Sequence, residues 1–276
     1  MQILDLVPIT KDIRKLIIKS IASIGSGHVG GSLSIVEVLT VLYFREMNID
    51  PNNPKMEGRD RLIVSKGHSG PGVYATLARR GYFPEEKLYT LNKIGTDLPS
   101  HCDMNKTVGV DMTTGSLGQG FSSAVGAALG SKIKNDGATI YCIIGDGESD
   151  EGQVWEAAMF ASYAKLNNLV VFLDYNKMQI DGYVKDNKHP ADVIRKWDSF
   201  GFYTQYVNGH DMKAIVQALD NVKAYRQEKG DKPNMIILDT VKGKGVSFAE
   251  KALVGSHSMP VTKELMEQAL KELEEV

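Results

Sequence analysis

Asp146, within Ile144-Gly145-Asp146-Gly147-Glu148, is followed thirty positions later by Asn176, within Asp174-Tyr175-Asn176-Lys177, and both are residue types that bind a hard cation. Mg2+ takes near-octahedral oxygen ligands at about 2.0–2.1 Å and is usually held by one or two protein groups together with phosphate oxygens. The Asp146 carboxylate, the Asn176 amide oxygen and the Met178 backbone carbonyl would make such a set, for Mg2+ or for another divalent cation such as Ca2+ or Mn2+. Gly145 and Gly147 carry no Cβ, which permits a tight turn and lets the Gly147 N–H approach a phosphate closely. Taken alone, Gly-Asp-Gly is also a common strand-to-helix turn and Asn a common loop starter. The surrounding elements decide between the two.

An apolar, β-rich run over 139–144 precedes Asp146 and another over 169–173 precedes Asn176. Each therefore falls where a parallel strand ends and where ligands of open α/β sheets collect. A helix over 152–166 would direct its positive dipole end at the same place. Upstream, Ile13, Leu16, Ile17, Ile21 and Ile24 trace a helix over 12–24 that stops at Gly25-Ser26-Gly27. A second helix follows over 34–47, capped by Ser32 or Ser34, then a short buried strand over 61–65 and a small-residue helix over 117–133. Downstream come a helix over 191–200, a strand over 202–207, a helix over 212–227, a strand over 234–240 and an acidic surface helix after Val261. Strands alternating with helices predict an α/β fold, a doubly wound and mainly parallel sheet with helices on both faces. No break in composition divides it, so one domain over 1–276 is expected, with an N-terminal helical segment and a C-terminal tail helix.

The net charge of −2 and pI near 6.3 give no electrostatic case for a nucleic-acid partner, since Lys and Arg are scattered rather than striped. The two cysteines, Cys102 and Cys142, do not make a disulfide framework, and no Cys/His pair has zinc spacing. No run reaches the ~18 apolar residues that span a bilayer, and the N-terminus lacks a basic segment followed by a small-residue cleavage site. An unprocessed chain in a reducing cytoplasm, away from membranes, is the expectation.

Four histidines share one context: His28, His68, His101 and His257 each sit among Gly, Ser or other small residues just after a helix or strand. Such tips expose an imidazole that can donate to diphosphate or hydroxyl oxygens and move protons near neutral pH. His210, in Asn208-Gly209-His210-Asp211, reads as part of a strand-to-helix turn, and His189 as a surface residue. Gly115 to Gly120 lacks the glycine spacing of a dinucleotide fingerprint, and Lys242-Gly243-Lys244-Gly245 is not a P-loop.

Taken in order, Gly27-His28-Val29-Gly30-Gly31, Leu62-Ile63-Val64-Ser65-Lys66-Gly67-His68, Gly115-Ser116-Leu117-Gly118-Gln119-Gly120, the Asp146 and Asn176 unit and Thr240-Val241-Lys242-Gly243-Lys244-Gly245 make the chain resemble the N-terminal, diphosphate-binding half of a transketolase, from about Arg14 to His257. The resemblance implies thiamine diphosphate and Mg2+ as cofactors, with Asp146, Asn176 and Met178 on the metal. It implies that His68 and His257 contact the diphosphate with Lys66, Gly145 and Gly147 nearby, and that Gly115, Leu117 and Ile180 lie along the cofactor rings. His28 and His101, with His257, would face the sugar hydroxyls and the carbonyl. Glu151 and Glu156 match two acidic positions that join a carboxylate network across the family's subunit interface, the plainer reading being first-turn carboxylates favoured by the helix dipole. The chain departs from the family pattern around His257, which has Ser256 before it and Ser258-Met259-Pro260 after it. It departs again around His101, where the family's Gly-His-Pro is absent, Pro99 preceding and Cys102 following the histidine.

By that resemblance the reaction is transfer of a two-carbon ketol unit from a ketose phosphate to an aldose phosphate, as in the pentose phosphate pathway. The cofactor carries the hard chemistry. In the family the carboxyl that protonates the pyrimidine ring belongs to a second, pyrimidine-binding domain, whereas Glu148, Glu151 and Glu156 follow the metal loop. A split enzyme is therefore expected, active only with a separate C-terminal subunit in an α2β2 heterotetramer. The α subunit of a 2-oxo acid dehydrogenase shares the Gly-Asp-Gly and Asn unit but not the reason for His28, His68 and His101. The remaining alternatives are a transketolase for an unusual sugar and a catalytically silent regulatory subunit.

Overall fold

The strands form where β-branched and aliphatic residues run together. In the computed structural model, which describes residues 1–180, 182–187 and 192–275, five of them make one parallel sheet. They are β1 (Arg61–Val64), β2 (Ile140–Gly145), β3 (Leu169–Tyr175), β4 (Tyr203–Asn208) and β5 (Asn234–Asp239), in the spatial order β1-β2-β3-β5-β4. Side chains alternate between faces, and the alternation is visible in the packing. Val64, Tyr141, Ile143, Val170, Phe172 and Ile236 join one apolar cluster, while Ile63, Cys142, Ile144, Val171, Leu173 and Ile237 join another. β2 and β3 are buried along nearly their whole length because helices cover both clusters. β4, at the edge, is only partly buried, which suits its Tyr-Thr-Gln-Tyr polarity.

On the first face lie α1 (Ile3–Ala22), α2 (Val36–Val41), α3 (Gly70–Arg80), α7 (Met212–Gln227) and α8 (Lys263–Glu275); on the second, α4 (Gln119–Lys134), α5 (Gly152–Tyr163) and α6 (Val193–Ser199). Among the described residues no helix is long and apolar enough to cross a membrane.

Three helices differ from their sequence expectation for identifiable reasons. α1 begins at Ile3 rather than near residue 12, because its apolar stripe continues backward through Ile9 and Leu6, across Pro8. The helix expected over 34–47 is broken: Ile35 leaves helical geometry, α2 ends at Val41 and a π-helical turn follows over Leu42–Glu46. Neither serine caps it, because Ser32 Oγ donates to the His28 carbonyl at 2.8 Å and Ser34 Oγ to Asp174 at 2.7 Å. α3 has no counterpart in the sequence reading, its start being concealed in Gly70-Pro71-Gly72. Gly67 explains why the chain turns so tightly before it: a Cβ there would lie 2.6 Å from the Thr114 carbonyl. The expected start of α6 at Ala191, and His189, lie outside the described residues.

The parallel register brings three strand ends level with one another. Gly145 pairs with Asp174 and Tyr175 with Asp239, so the residues just beyond those strands, Asp146, Asn176 and Thr240, emerge side by side at one edge of the sheet.

Candidate active site

At that edge is a cleft of about 420 Å³, within the usual range for small-ligand sites. Its walls bring together His28, Lys66, His68, His101, Gly115, Leu117, Gly145, Asp146, Gly147, Glu151, Asn176, Met178, Ile180 and His257. Of the residues singled out in the sequence, Glu156 alone is absent from the wall; it is exposed on α5, away from the cleft, while Glu151 stands at the rim.

The four histidines converge from distant parts of the chain. A two-residue antiparallel ribbon pairs Ser26 with Pro260 and Gly27 with Met259, which sets the His28 loop beside the His257 loop. Ring centroids are 5.2 Å apart for His28 and His257, 4.8 Å for His68 and His257, 5.6 Å for His28 and His68, and 5.4 Å for His28 and His101. None of the four rings hydrogen-bonds another described residue, so their nitrogens are available to the cleft.

Burial disfavours the imidazolium form. It lowers His28, with His101 adding to the effect, and lowers His101. It takes His257 down to about 4, helped by Lys242, and His68 to about 2, helped by Lys66. All four are neutral at pH 7, each with one donor and one acceptor nitrogen.

This cluster gives the chain an acid sensitivity of known sign. An unfolded histidine takes up its proton near pH 6.5, whereas folded His68 refuses it down to about 2. The stabilisation is complete above pH 6.5 and is lost as pH falls below it, by about 2 kcal/mol at pH 5 for one fully excluded proton. Thermal melts between pH 7.5 and 5 should show a shallower decline for His68→Asn than for the unaltered chain. Parallel curves would mean that His68 is not the source.

Asp146 is buried, and its carboxylate has only backbone partners: Oδ1 accepts from the Gly147 N–H at 2.8 Å and Oδ2 from the Lys177 N–H at 2.5 Å. The Gly147 N–H, expected to face a phosphate, is thus taken by Asp146. Among the described residues no cation pairs with Asp146, and burial, with the Asp174 charge next, pushes its carboxyl up to about 7. A buried carboxylate in that condition suits a divalent cation. Asn176 stands beside it, its Oδ1 accepting from the Met178 N–H at 3.1 Å and its Nδ2 donating to Asp174 at 3.1 Å.

Three side chains without an assigned role in the sequence reading turn out to organise the site. Asp174, wholly buried at the end of β3, accepts from Lys66 Nζ at 2.5 Å, Ser34 at 2.7 Å and Thr240 at 2.5 Å. Burial alone would raise its carboxyl, but the Lys66 ammonium and these hydrogen bonds hold it low. Lys66, foreseen near the diphosphate, lines the cleft with its charge already committed to Asp174 and to the Gly31 carbonyl. Glu148 is buried and accepts from Ser65 Oγ, the Gly118 N–H and the Gly145 N–H, tying the ends of β1 and β2 to the Gly115–Gly118 turn. Lys242 is 3 % exposed, lines the cleft and has no hydrogen-bond or ion-pair partner among the described residues. A charged residue closing an apolar strand, as in Leu-Val-Val-Phe-Leu-Asp174-Tyr, was the available signal for Asp174.

Comparison with known proteins gives a consistent result. A family model described as the transketolase thiamine diphosphate binding domain matches residues 7–274. The 6-deoxy-6-sulfo-D-fructose transketolase subunit SqwG of Clostridium sp. (strain MSTE9) is 56% identical over 262 residues, covering 95% of this chain and 94% of that protein. An apulose-4-phosphate transketolase subunit of Actinobacillus succinogenes is 39% identical, with 95% and 93% covered. Among solved structures, the transketolase of Campylobacter jejuni superposes with a TM-score of 0.89 at 30% identity, covering 99% of this chain but 43% of its own.

Proposed function

The chain belongs to the transketolase family, and from that membership we propose that it is the N-terminal, cofactor-binding subunit of a two-subunit transketolase moving a two-carbon ketol unit between sugars. The observation that carries the proposal is the uncompensated Asp146 carboxylate in a cleft ringed by four neutral imidazoles.

In this reading Asp146, Asn176 and the Met178 carbonyl hold a divalent cation, while Lys242, His68 and His257 meet diphosphate oxygens. Gly115, Leu117 and Ile180 flank the rings of thiamine diphosphate. When bound, that cofactor supplies the carbon nucleophile and electron sink for breaking the bond next to a ketose carbonyl. His28 and His101 serve the substrate. Each, being neutral, can donate an N–H to a carbonyl oxygen and accept a proton from a sugar hydroxyl through the other nitrogen.

We assign none of the carboxyl groups lining the cleft to the pyrimidine ring. Asp146 is assigned to the cation, Glu148 is spent on Ser65, Gly118 and Gly145, and Glu151 stands at the rim. This supports a C-terminal partner that supplies the missing acid and the contacts to the far end of the sugar. The 56% identity to SqwG, against 39% to the apulose-4-phosphate protein, supports 6-deoxy-6-sulfo-D-fructose as the ketol donor, with an aldose phosphate as acceptor.

The test is an assay of the purified chain with Mg2+ and thiamine diphosphate, with and without a co-expressed pyrimidine-domain subunit. Ketol transfer is expected only with both, and faster from 6-deoxy-6-sulfo-D-fructose than from fructose 6-phosphate. Full transfer by the chain alone would overturn the two-subunit reading, and a preference for fructose 6-phosphate would overturn the donor.

A further inference from the structure

Lys242 reaches the cleft from a loop whose two ends are held by a single relay of buried and half-buried side chains. Arg14, on α1, donates through Nη2 to Glu37 Oε1 at 2.6 Å, and Glu37, on α2, faces His210 Nδ1 through Oε2 at 3.1 Å. Burial would raise the Glu37 carboxyl, but Arg14 and His210 bring it below its ordinary value, so it is ionised. His210 Nε2 accepts from the Val241 N–H at 2.8 Å, which puts the ring proton on Nδ1, facing Glu37. At the other end of the relay Arg14 Nε donates to the Lys244 carbonyl at 3.0 Å. Val241 and Lys244 bracket Lys242, and the Gly243 N–H donates to the Gly30 carbonyl at 3.1 Å. Lys242 itself leans on Gly30 so closely that a Cβ there would come 2.8 Å from Lys242 Cγ.

We propose that Arg14, Glu37 and His210 are positioning residues that fix the 241–244 loop and so hold the Lys242 ammonium at the anionic end of the cleft. The proposal rests on the reading of that cleft as a cofactor site. His210 is thereby more than a turn residue: its backbone N–H makes the turn contact to Asn208 Oδ1 at 2.9 Å, and its ring joins Glu37 on α2 to the loop.

The two nitrogens of His210 can be tested separately. Asn at 210 keeps a donor near the Nδ1 position for Glu37 but offers nothing to the Val241 N–H, whereas Gln places an acceptor near the Nε2 position. Titration calorimetry with thiamine diphosphate in the presence of Mg2+ should show His210→Asn weakening binding by about 10-fold and His210→Gln by no more than about 3-fold. Lys242→Met should weaken it by about 10- to 100-fold, the loss of one charge-assisted contact. The double variant, His210→Asn with Lys242→Met, should be no weaker than Lys242→Met alone.

Multiplying effects in the double variant, or an unchanged His210→Asn, would overturn the relay. Arg14→Lys, which keeps a cation for Glu37 but gives up the Lys244 tie, replaces His210→Asn in the cycle if the latter does not fold, with the same non-additivity expected. Amide exchange of residues 241–244 in the ligand-free protein reads the relay separately. It should quicken in His210→Asn or Arg14→Lys and be restored in His210→Gln, and unchanged exchange would overturn the relay. Failure of the unaltered chain to bind the cofactor, alone or with its partner, would instead refute the reading of the site.

Discussion

Asp146→Asn is expected to weaken Mg2+-dependent thiamine diphosphate binding by at least about 100-fold while leaving the ligand-free chain as stable as before, or more so, at pH 8. The two effects have one cause. A cation site needs a carboxylate kept free of protein cations, and an unpaired carboxylate in a buried place disfavours folding in its charged form. The Asp146 carboxyl lies at about 7 in the folded chain against 3.8 when unfolded. A raised carboxyl leaves the protonated form unpenalised at low pH, and stability is lost as pH rises from 3.8 to about 7, reaching about 4 kcal/mol above that window.

Asn cannot ionise and escapes this cost. It also turns one oxygen into an NH2 group facing either the Gly147 or the Lys177 N–H, giving back about 1–3 kcal/mol. Thermal melts at pH 8 with and without Mg2+, together with calorimetric titration of the cofactor, separate the two effects. Unaltered cofactor affinity in Asp146→Asn would remove Asp146 from the metal site. A large fall in ligand-free stability would make it a structural carboxylate.

Asp174→Leu is expected to do the opposite, damaging the fold before the chemistry. Its carboxylate compensates Lys66, which is 1 % exposed, and receives hydrogen bonds from Ser34, Thr240 and Asn176. Removing one partner of a buried ion pair costs about 3–5 kcal/mol, because the other charge is stranded. Replacing both with apolar residues of similar size removes that cost, so Asp174→Leu with Lys66→Met should recover much of the loss in urea unfolding. The double variant should still bind cofactor poorly, since Asn176 loses the contact that orients its amide. Recovery of stability without loss of affinity would show that the network only supports the fold.

The contrast between these two aspartates, twenty-eight residues apart, shows what a sequence conveys. Asp146 was legible because its signal is local: two glycines, an apolar run before it and a helix after it specify a strand-end turn whatever the rest of the chain does. The five-strand parallel arrangement was legible for a similar reason, since buried strands are continuous apolar runs and crossover helices separate them. α3 was not, because Gly70-Pro71-Gly72 reads as a loop until packing against α1 makes it a helix start. The late start of α2 at Val36 was concealed because the hydroxyl of Ser34, which reads as a helix cap, is claimed by a carboxylate 140 residues away.

By itself, then, the sequence determined the five strands and most of the helices, the strand-end position of Asp146 and Asn176, and the small-residue loop context of four histidines, all features set by interactions within a few residues. Tertiary structure alone decided that His28 and His257 meet through a two-residue ribbon, that Lys66 is paired with Asp174 while Lys242 is left unpaired, and that Glu151 reaches the rim while Glu156 turns away. Charge compensation and burial are properties of the space around a residue, and in a parallel sheet that space is filled by segments far apart in the chain.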